Sequence, residues 1–261
     1  MENKIQNKSL FLEIKYKKEK LINIIDYLNK EKFLLGIKID LTKNIISLED
    51  LFNLKEILEE KNIPLFMKIG GCEAENDIFN AKKLSVNSIS VPMIETPYSL
   101  IKFVNSVNKF LPKEKRDTKL FVNIETKCGL ENIDKILSTK ESDEIAGIIL
   151  GRDDMSDSLG LNESFVNSKI LFDIAVKMSK IAEKNNKQFS IGGKIRPEAI
   201  SFLKKLGENH ITKVETRMVV FDAKKLIFST KMREFILKAM EFEMEWIKYT
   251  HFLKGFDYVN L

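Results

Sequence analysis

Two apolar runs end in carboxylates. Glu125 closes KLFVNIE (119–125), and Asp153 and Asp154 follow AGIILG (146–151), with Asp157 three residues on. If both runs are neighbouring strands of one parallel sheet, their ends lie about 4.8 Å apart, close enough for one ion to bridge the two carboxylates. Hard divalent cations such as Mg²⁺ (or Mn²⁺) take oxygen ligands, commonly one or two carboxylates with water and substrate completing the shell. The competing reading is that Asp153 or Asp157 caps a local turn. Cys72 and Cys128 form no CxxC pair, and with only His210 and His251 beside them they make no standard zinc site. Oxygen is therefore the expected ligand atom for any metal.

The elements that would hold these residues alternate regularly. Strands are expected at 9–15, 34–41, 64–70, 88–93, 119–125, 146–151, 188–193 and 211–217. Helices are expected at 18–29, 47–60, 74–84, 97–109, 130–138, 164–184, 197–206 and 222–249. Eight strand–helix units of this spacing predict a (β/α)8 TIM barrel, one domain over 1–261, with 222–261 as a C-terminal helical extension. An open doubly wound sheet would be apolar on both faces, since helices cover both. These strands are consistently apolar on one face and mixed or polar on the other: Leu120, Val122 and Ile124 oppose Phe121, Asn123 and Glu125, and Leu65, Met67 and Ile69 oppose Phe66, Lys68 and Gly70. In a barrel the polar faces point into the lumen. That lumen would hold Glu13, Lys15, Lys38, Asp40, Lys68, Glu125, Lys213, Glu215 and Arg217. Acids and bases nearly balance, so an internal ion-pair network competes with a catalytic reading. Barrel chemistry sits at the C-terminal strand ends, which singles out Asp40, Lys68, Glu125, Asp153, Asp154 and Arg217.

Composition narrows the rest. The 261 residues carry 43 basic and 38 acidic side chains, mixed along the chain without a basic block, and this argues against nucleic-acid binding. No apolar run approaches the length of a membrane helix and the first residues lack a signal-peptide core, so a cytoplasmic protein that does not enter a membrane is expected. The last helix is apolar on more than one side: Met232, Phe235, Ile236, Met240 and Ile247 share a stripe while Phe242 and Tyr249 lie elsewhere. Such a helix predicts packing beyond its own barrel and a homo-oligomer.

Three motifs carry a family resemblance. VNIETKCGLENIDKI (122–136), GIILGRDDMSDSLG (147–160) and SVPMIETP (90–97) together resemble the HpcH/HpaI aldolase and citrate lyase family, over roughly residues 34–222. KIGGCEAENDIFNAKKL (68–84), IGGKIRPEAISFL and VETRMVVFD look like a less characterised branch of it.

The resemblance implies a carbon–carbon lyase or aldolase in which Glu125 and Asp154 bind Mg²⁺ or a similar ion. The ion would hold a pyruvate- or oxaloacetate-like 2-oxo acid, or a related acyl substrate, and stabilise its enolate. Lys68 and Arg217 would orient the substrate anion, and Asp40 and Asp153 would support the site or handle protons. Gly70, Gly71, Arg152 and Gly193 would contact substrate, the glycines by letting it approach the backbone. Two positions depart from the family. Lys68 stands where an arginine is usual, and Asp40-Leu41-Thr42-Lys43 stands where an Asp-Gly-Glu-His stretch supplies a catalytic histidine. A lysine Schiff-base route through Lys15, Lys38, Lys68 or Lys213, and a non-catalytic acid-binding barrel, are the alternatives.

Overall fold

The alternating residues 9–15 do not form a strand. In the structure, a computed structural model describing residues 2–42, 46–207 and 209–254, they lie inside a 28-residue helix, α1 (Glu2–Asn29). Glu13 and Lys15 are therefore absent from the lumen. They are exposed and sit within ion-pair reach of Lys17 (3.7 Å) and Glu19 (3.8 Å), one helical turn away. The physical cause is downstream: Leu21, Ile24, Ile25 and Leu28 repeat at helical spacing and are fully or almost fully buried. That stripe anchors a helix long enough to carry the ambiguous 9–15 segment with it.

After α1 the chain alternates through β1 (Leu34–Asp40), α2 (Leu48–Glu59), β2 (Leu65–Lys68), α3 (Glu75–Lys83), β3 (Ser88–Val91), α4 (Pro97–Phe110), β4 (Lys119–Asn123) and α5 (Lys127–Leu137). It continues through β5 (Ile145–Gly151), α6 (Arg152–Ser158), α7 (Lys169–Lys184), β6 (Gln188–Gly192), α8 (Ile200–Leu206), β7 (Lys213–Glu215), β8 (Val219–Asp222), α9 (Ala223–Ile227) and α10 (Met232–Leu253). The eight strands close a barrel in sequence order. Strands β1 to β7 are parallel to their neighbours, but β8 runs antiparallel to both β7 and β1. The closing strand is thus VVFD, whose first three residues fall between the last expected strand (211–217) and the last expected helix (222–249). It is folded back on β7 by a turn in which Thr216 and Val219 exchange backbone and hydroxyl hydrogen bonds.

Helix starts follow the sequence signals. Ser47 and Asp50 form a reciprocal capping box on α2, and Thr96 and Ser99 form one on α4, where Pro97 takes the first helical position. Thr126 caps α5 by accepting from the Gly129 amide, so Glu125 is the last residue before the backbone turns into a helix. Among the described residues no helix is long and apolar enough to cross a membrane.

Side chains divide as the alternation requires. Ile37, Ile39, Leu65, Met67, Ile89, Val91, Leu120 and Val122 are buried outward against the helices. Inward, Phe66 and Phe121 plug the lower barrel, with the Lys213 ammonium 5.4 Å and 3.6 Å from their ring centroids. Gly36 and Gly147 make room for these rings: a Cβ on either would come within 2.9 Å of a ring carbon. Burial in this floor pulls the Lys213 pKa down to about 8, against the attraction of Glu215 and with help from the like charge of Lys119.

A group whose folded pKa is depressed in this way penalises the fold while it is charged. Between about 8 and the usual lysine range near 10.5 the folded state releases a proton that the unfolded chain keeps, so the wild type gains stability as pH rises through that window. Lys213→Met is expected to unfold at higher denaturant than the wild type at pH 7, with the difference shrinking by pH 10. A gap constant across that range in denaturation midpoints would show that Lys213 is not desolvated.

Candidate active site

The C-terminal ends of the strands surround a cavity of about 1250 Å³. Of the nine residues singled out for catalysis, substrate or metal, Asp40, Lys68, Glu125, Asp154, Gly193 and Arg217 line it. Gly70, Gly71 and Arg152 do not. The Gly70 amide is engaged in a 2.8 Å hydrogen bond to the Asp77 carboxylate at the start of α3.

Glu125 is the buried centre of the site, 1% exposed. Its Oε2 accepts from Asn123 Nδ2 at 2.8 Å. Its Oε1 accepts from the Met93 amide at 3.3 Å and lies 3.5 Å from Lys68 Nζ. Met93 holds a positive φ of 51°, uncommon for a residue with a Cβ, and this bend belongs to the loop that brings its amide to Glu125. The carboxylate also lies hard against Gly151, where any Cβ would collide with Oε2. Burial raises the Glu125 pKa, and the negative charge of Asp154 pushes the same way, while Lys68, Asn123 and the Met93 amide pull it down.

Asp154 approaches from α6, the short helix that begins directly after β5. The DDMSD segment, expected as a loop, is helical over 152–158. Asp153 pairs with Lys194 at 3.0 Å, and Asp157, one helical turn on, is exposed. The half-buried Asp154 carboxylate has no hydrogen-bond or ion-pair partner among the described residues.

These residues fit a hard divalent cation. Two adjacent carboxylates share one pocket, one of them held in a raised-pKa state by burial and by the other. The Asn123 Oδ1 beside them is buried without a partner. No cluster of three or more His, Cys, Asp or Glu side chains suited to a metal exists among the described residues. An ion at this site would be held by two carboxylates, with water and substrate oxygens completing its shell, a coordination typical of Mg²⁺.

The remaining charges are more fully compensated. Lys38 Nζ donates to Glu215 Oε2 at 2.8 Å inside the barrel. Burial alone would lower the Lys38 pKa and raise that of Glu215, yet the pair's mutual attraction reverses both shifts. Arg217 sits in the β7–β8 turn and meets Glu243 of α10 at 2.9 Å. Asp40 Oδ1 accepts from the Thr42 amide and hydroxyl at 2.9 and 2.6 Å. Glu95 accepts from the Thr126 hydroxyl at 2.6 Å, one step behind Glu125.

Arg152, expected at the substrate, faces the other way. It is fully buried, and its five hydrogen bonds end on the carbonyls of Val166, Gly192, Gly193 and Lys194 and on Asn167 Oδ1, with Phe202 under the guanidinium at 4.7 Å. It clamps the Gly193–Lys194 turn, both of whose residues are left-handed (φ 77° and 48°), against the first turn of α6. A Cβ at Gly193 would come within 2.6 Å of the Arg152 and Asp153 amides, so only glycine permits this contact.

The sequence reading missed the roof of the cavity. Lys17 of α1 and Met240, Glu243, Met244, Ile247 and Lys248 of α10 line it. The two helices run antiparallel: Tyr27 meets Phe235, Lys20 pairs with Glu245 at 3.0 Å, and Lys17 lies over the Phe252 ring. Phe242, Trp246 and Tyr249 are buried. The second apolar side of α10 was legible in the sequence, but the partner read for it was another subunit, whereas α1 and the mouth of the same barrel take up much of it.

Removing the Arg152 guanidinium leaves several buried acceptors unsatisfied, and lysine cannot replace its planar fork. Arg152→Met and Arg152→Lys are each expected to lose at least ~3 kcal/mol in urea denaturation. A loss below ~1 kcal/mol would mean the clamp does not hold the turn.

Residues 72–191 match the HpcH/HpaI aldolase/citrate lyase family. Among solved structures, an HpcH/HpaI aldolase from Desulfitobacterium hafniense DCB-2 superposes with a TM-score of 0.59 at 13% identity, over 90% of each chain. The citrate synthase SbnG gives 0.53 at 18% identity, over 66% of this chain and 73% of that one. Macrophomate synthase gives 0.55 at 16% identity, over 74% and 81%. At such identities these structures share the barrel fold with this chain. Comparison with curated proteins finds no match.

Proposed function

We propose that this barrel, whose residues 72–191 carry the HpcH/HpaI aldolase/citrate lyase match, is a metal-dependent carbon–carbon lyase acting on a 2-oxo acid through its enolate. The observation that carries the reading is the Asp154 carboxylate, without a partner among the described residues, beside the buried Glu125 that Lys68 approaches to 3.5 Å. Mg²⁺ or Mn²⁺ bound by this pair would supply Lewis-acid polarisation of the substrate carbonyl.

The chain's own residues do the rest. Lys68, 7% exposed, presents one positive charge at the cavity floor where an enolate oxygen would develop its negative charge. As a point charge it neutralises without the two-pronged grip that arginine gives a carboxylate. Arg217 orients the substrate anion from the rim. Asp40 keeps one oxygen in its local turn with Thr42 and offers the other to a proton, taking up the work for which no histidine lines the cavity. The lysine route is less well supported by the geometry. Lys15 lies on the exposed face of α1, Lys213 lies in the floor and does not line the cavity, Lys38 is tied to Glu215, and Lys68 lines the cavity but stands 3.5 Å from the Glu125 carboxylate.

In D₂O with Mg²⁺, the wild type is expected to exchange the C3 protons of pyruvate, followed by proton NMR, and EDTA should abolish the exchange. Glu125→Gln and Asp154→Asn should each reduce it by at least ~100-fold, on the scale of losing a transition-state charge contact. Exchange that persists in EDTA, or a lysine trapped on pyruvate by borohydride, would sink the metal-dependent reading.

A further inference from the structure

The cavity is far larger than the acid at its floor requires. A three-carbon 2-oxo acid displaces on the order of four waters, ~120 Å³, whereas the cavity holds about 1250 Å³. Its outer part has a distinct character, with Ile195, Met240, Met244 and Ile247 forming an apolar wall. Around that wall the Arg217–Glu243 and Lys194–Asp153 pairs are balanced, and Lys17, Arg196 and Lys248 add positive charge. Lys17 and Lys248 also reach Glu13 (3.7 Å) and Glu245 (2.9 Å) on their own helices. Arg196 is exposed and has no ion-pair partner among the described residues.

We infer that this outer chamber is the subsite for the second substrate, and that this substrate is a phosphate ester of an aldehyde or ketone, with its phosphate at the end remote from the carbonyl. The assignment deepens the lyase reading and rests on it. The rim's surplus is positive, because Lys20 and Lys248 share the single Glu245 carboxylate and Arg196 adds its own charge, and ammonium and guanidinium groups together suit a dianion with three oxygens better than a single carboxylate. The flexible methionines suit a ligand body of variable shape lying along the wall. In the joining direction one bond forms, between the methyl carbon of the acid and the carbonyl carbon of the ester. The proton lost from that methyl group is matched by one gained at the carbonyl oxygen, and no further reactant is needed.

Calorimetry on the full chain with Mg²⁺ and pyruvate tests this, with D-ribose 5-phosphate, D-ribose and D-glucuronate as probes. Ribose 5-phosphate is expected to bind at least tenfold more tightly than either of the others. The Arg196→Ala/Lys248→Ala double variant should reduce that preference to about twofold, while Glu125→Gln should leave it intact. Equal binding of phosphate and neutral sugar, tighter glucuronate binding, or a preference unchanged in the double variant would overturn the inference. So would its loss in Glu125→Gln, which would put the phosphate on the floor. Wild-type protein that shows the preference but exchanges no pyruvate protons would remove the lyase reading and leave the phosphate subsite standing, so the two fail separately.

Discussion

Charge inside a closed barrel must be neutralised from within, because the outer faces of the strands are sealed by apolar packing. This lumen meets that constraint unevenly. Lys38 and Glu215 satisfy one another at 2.8 Å, each strengthening the other's ionised form. Lys68 and Glu125 stand 3.5 Å apart, and Glu125 stays under-compensated by burial and by Asp154. Desolvation of an incompletely paired charge costs several kcal/mol. The imbalance is localised at Glu125 and Asp154, where a ligand can relieve it, whereas the Lys38–Glu215 pair lines the same cavity already satisfied.

Three buried cations make the same point from different surroundings. Lys213 lies against aromatic rings in the floor and its affinity for a proton falls. Lys38 gains a carboxylate and its affinity rises. Arg152 hydrogen-bonds no carboxylate, yet it is accommodated because its planar donors match carbonyls fixed by two loops and its guanidinium lies over the Phe202 ring. Its pKa falls to about 10, still far above neutrality, so it serves as a charged strut at every physiological pH.

Much of the barrel was legible because its inner and outer faces differ in polarity at period two. That Glu125 and Asp154 come to one cavity was legible because each lies within three residues of the end of an apolar strand. The misread elements are those where local pattern and tertiary context disagree. LFLEIK alternates like a strand but belongs to a helix anchored ten residues later, and VVFD is too short and too close to β7 to announce a separate strand. Arg152 was misplaced because a strand-end arginine looks the same in sequence whether it turns toward the cavity or toward neighbouring carbonyls. Asn123 could have been read, since it shares the inward face of β4 with Glu125, two residues away.

The reversed β8 has a consequence for how this chain is routed. Had the eighth strand run parallel to the others, the polypeptide would emerge from it at the mouth, and the following helix would have to descend the side of the barrel. Because β8 descends instead, the chain leaves at the base, and α10, 22 residues and about 33 Å long, climbs from there past the rim. One hairpin at Thr216 to Met218 therefore turns the tail of the chain into a roof. Changes in the length of that hairpin or in the short link at 228–231 would tilt the roof over the cavity while leaving Glu125 and Asp154 in place, so the outer chamber can be reshaped independently of the carboxylates beneath it.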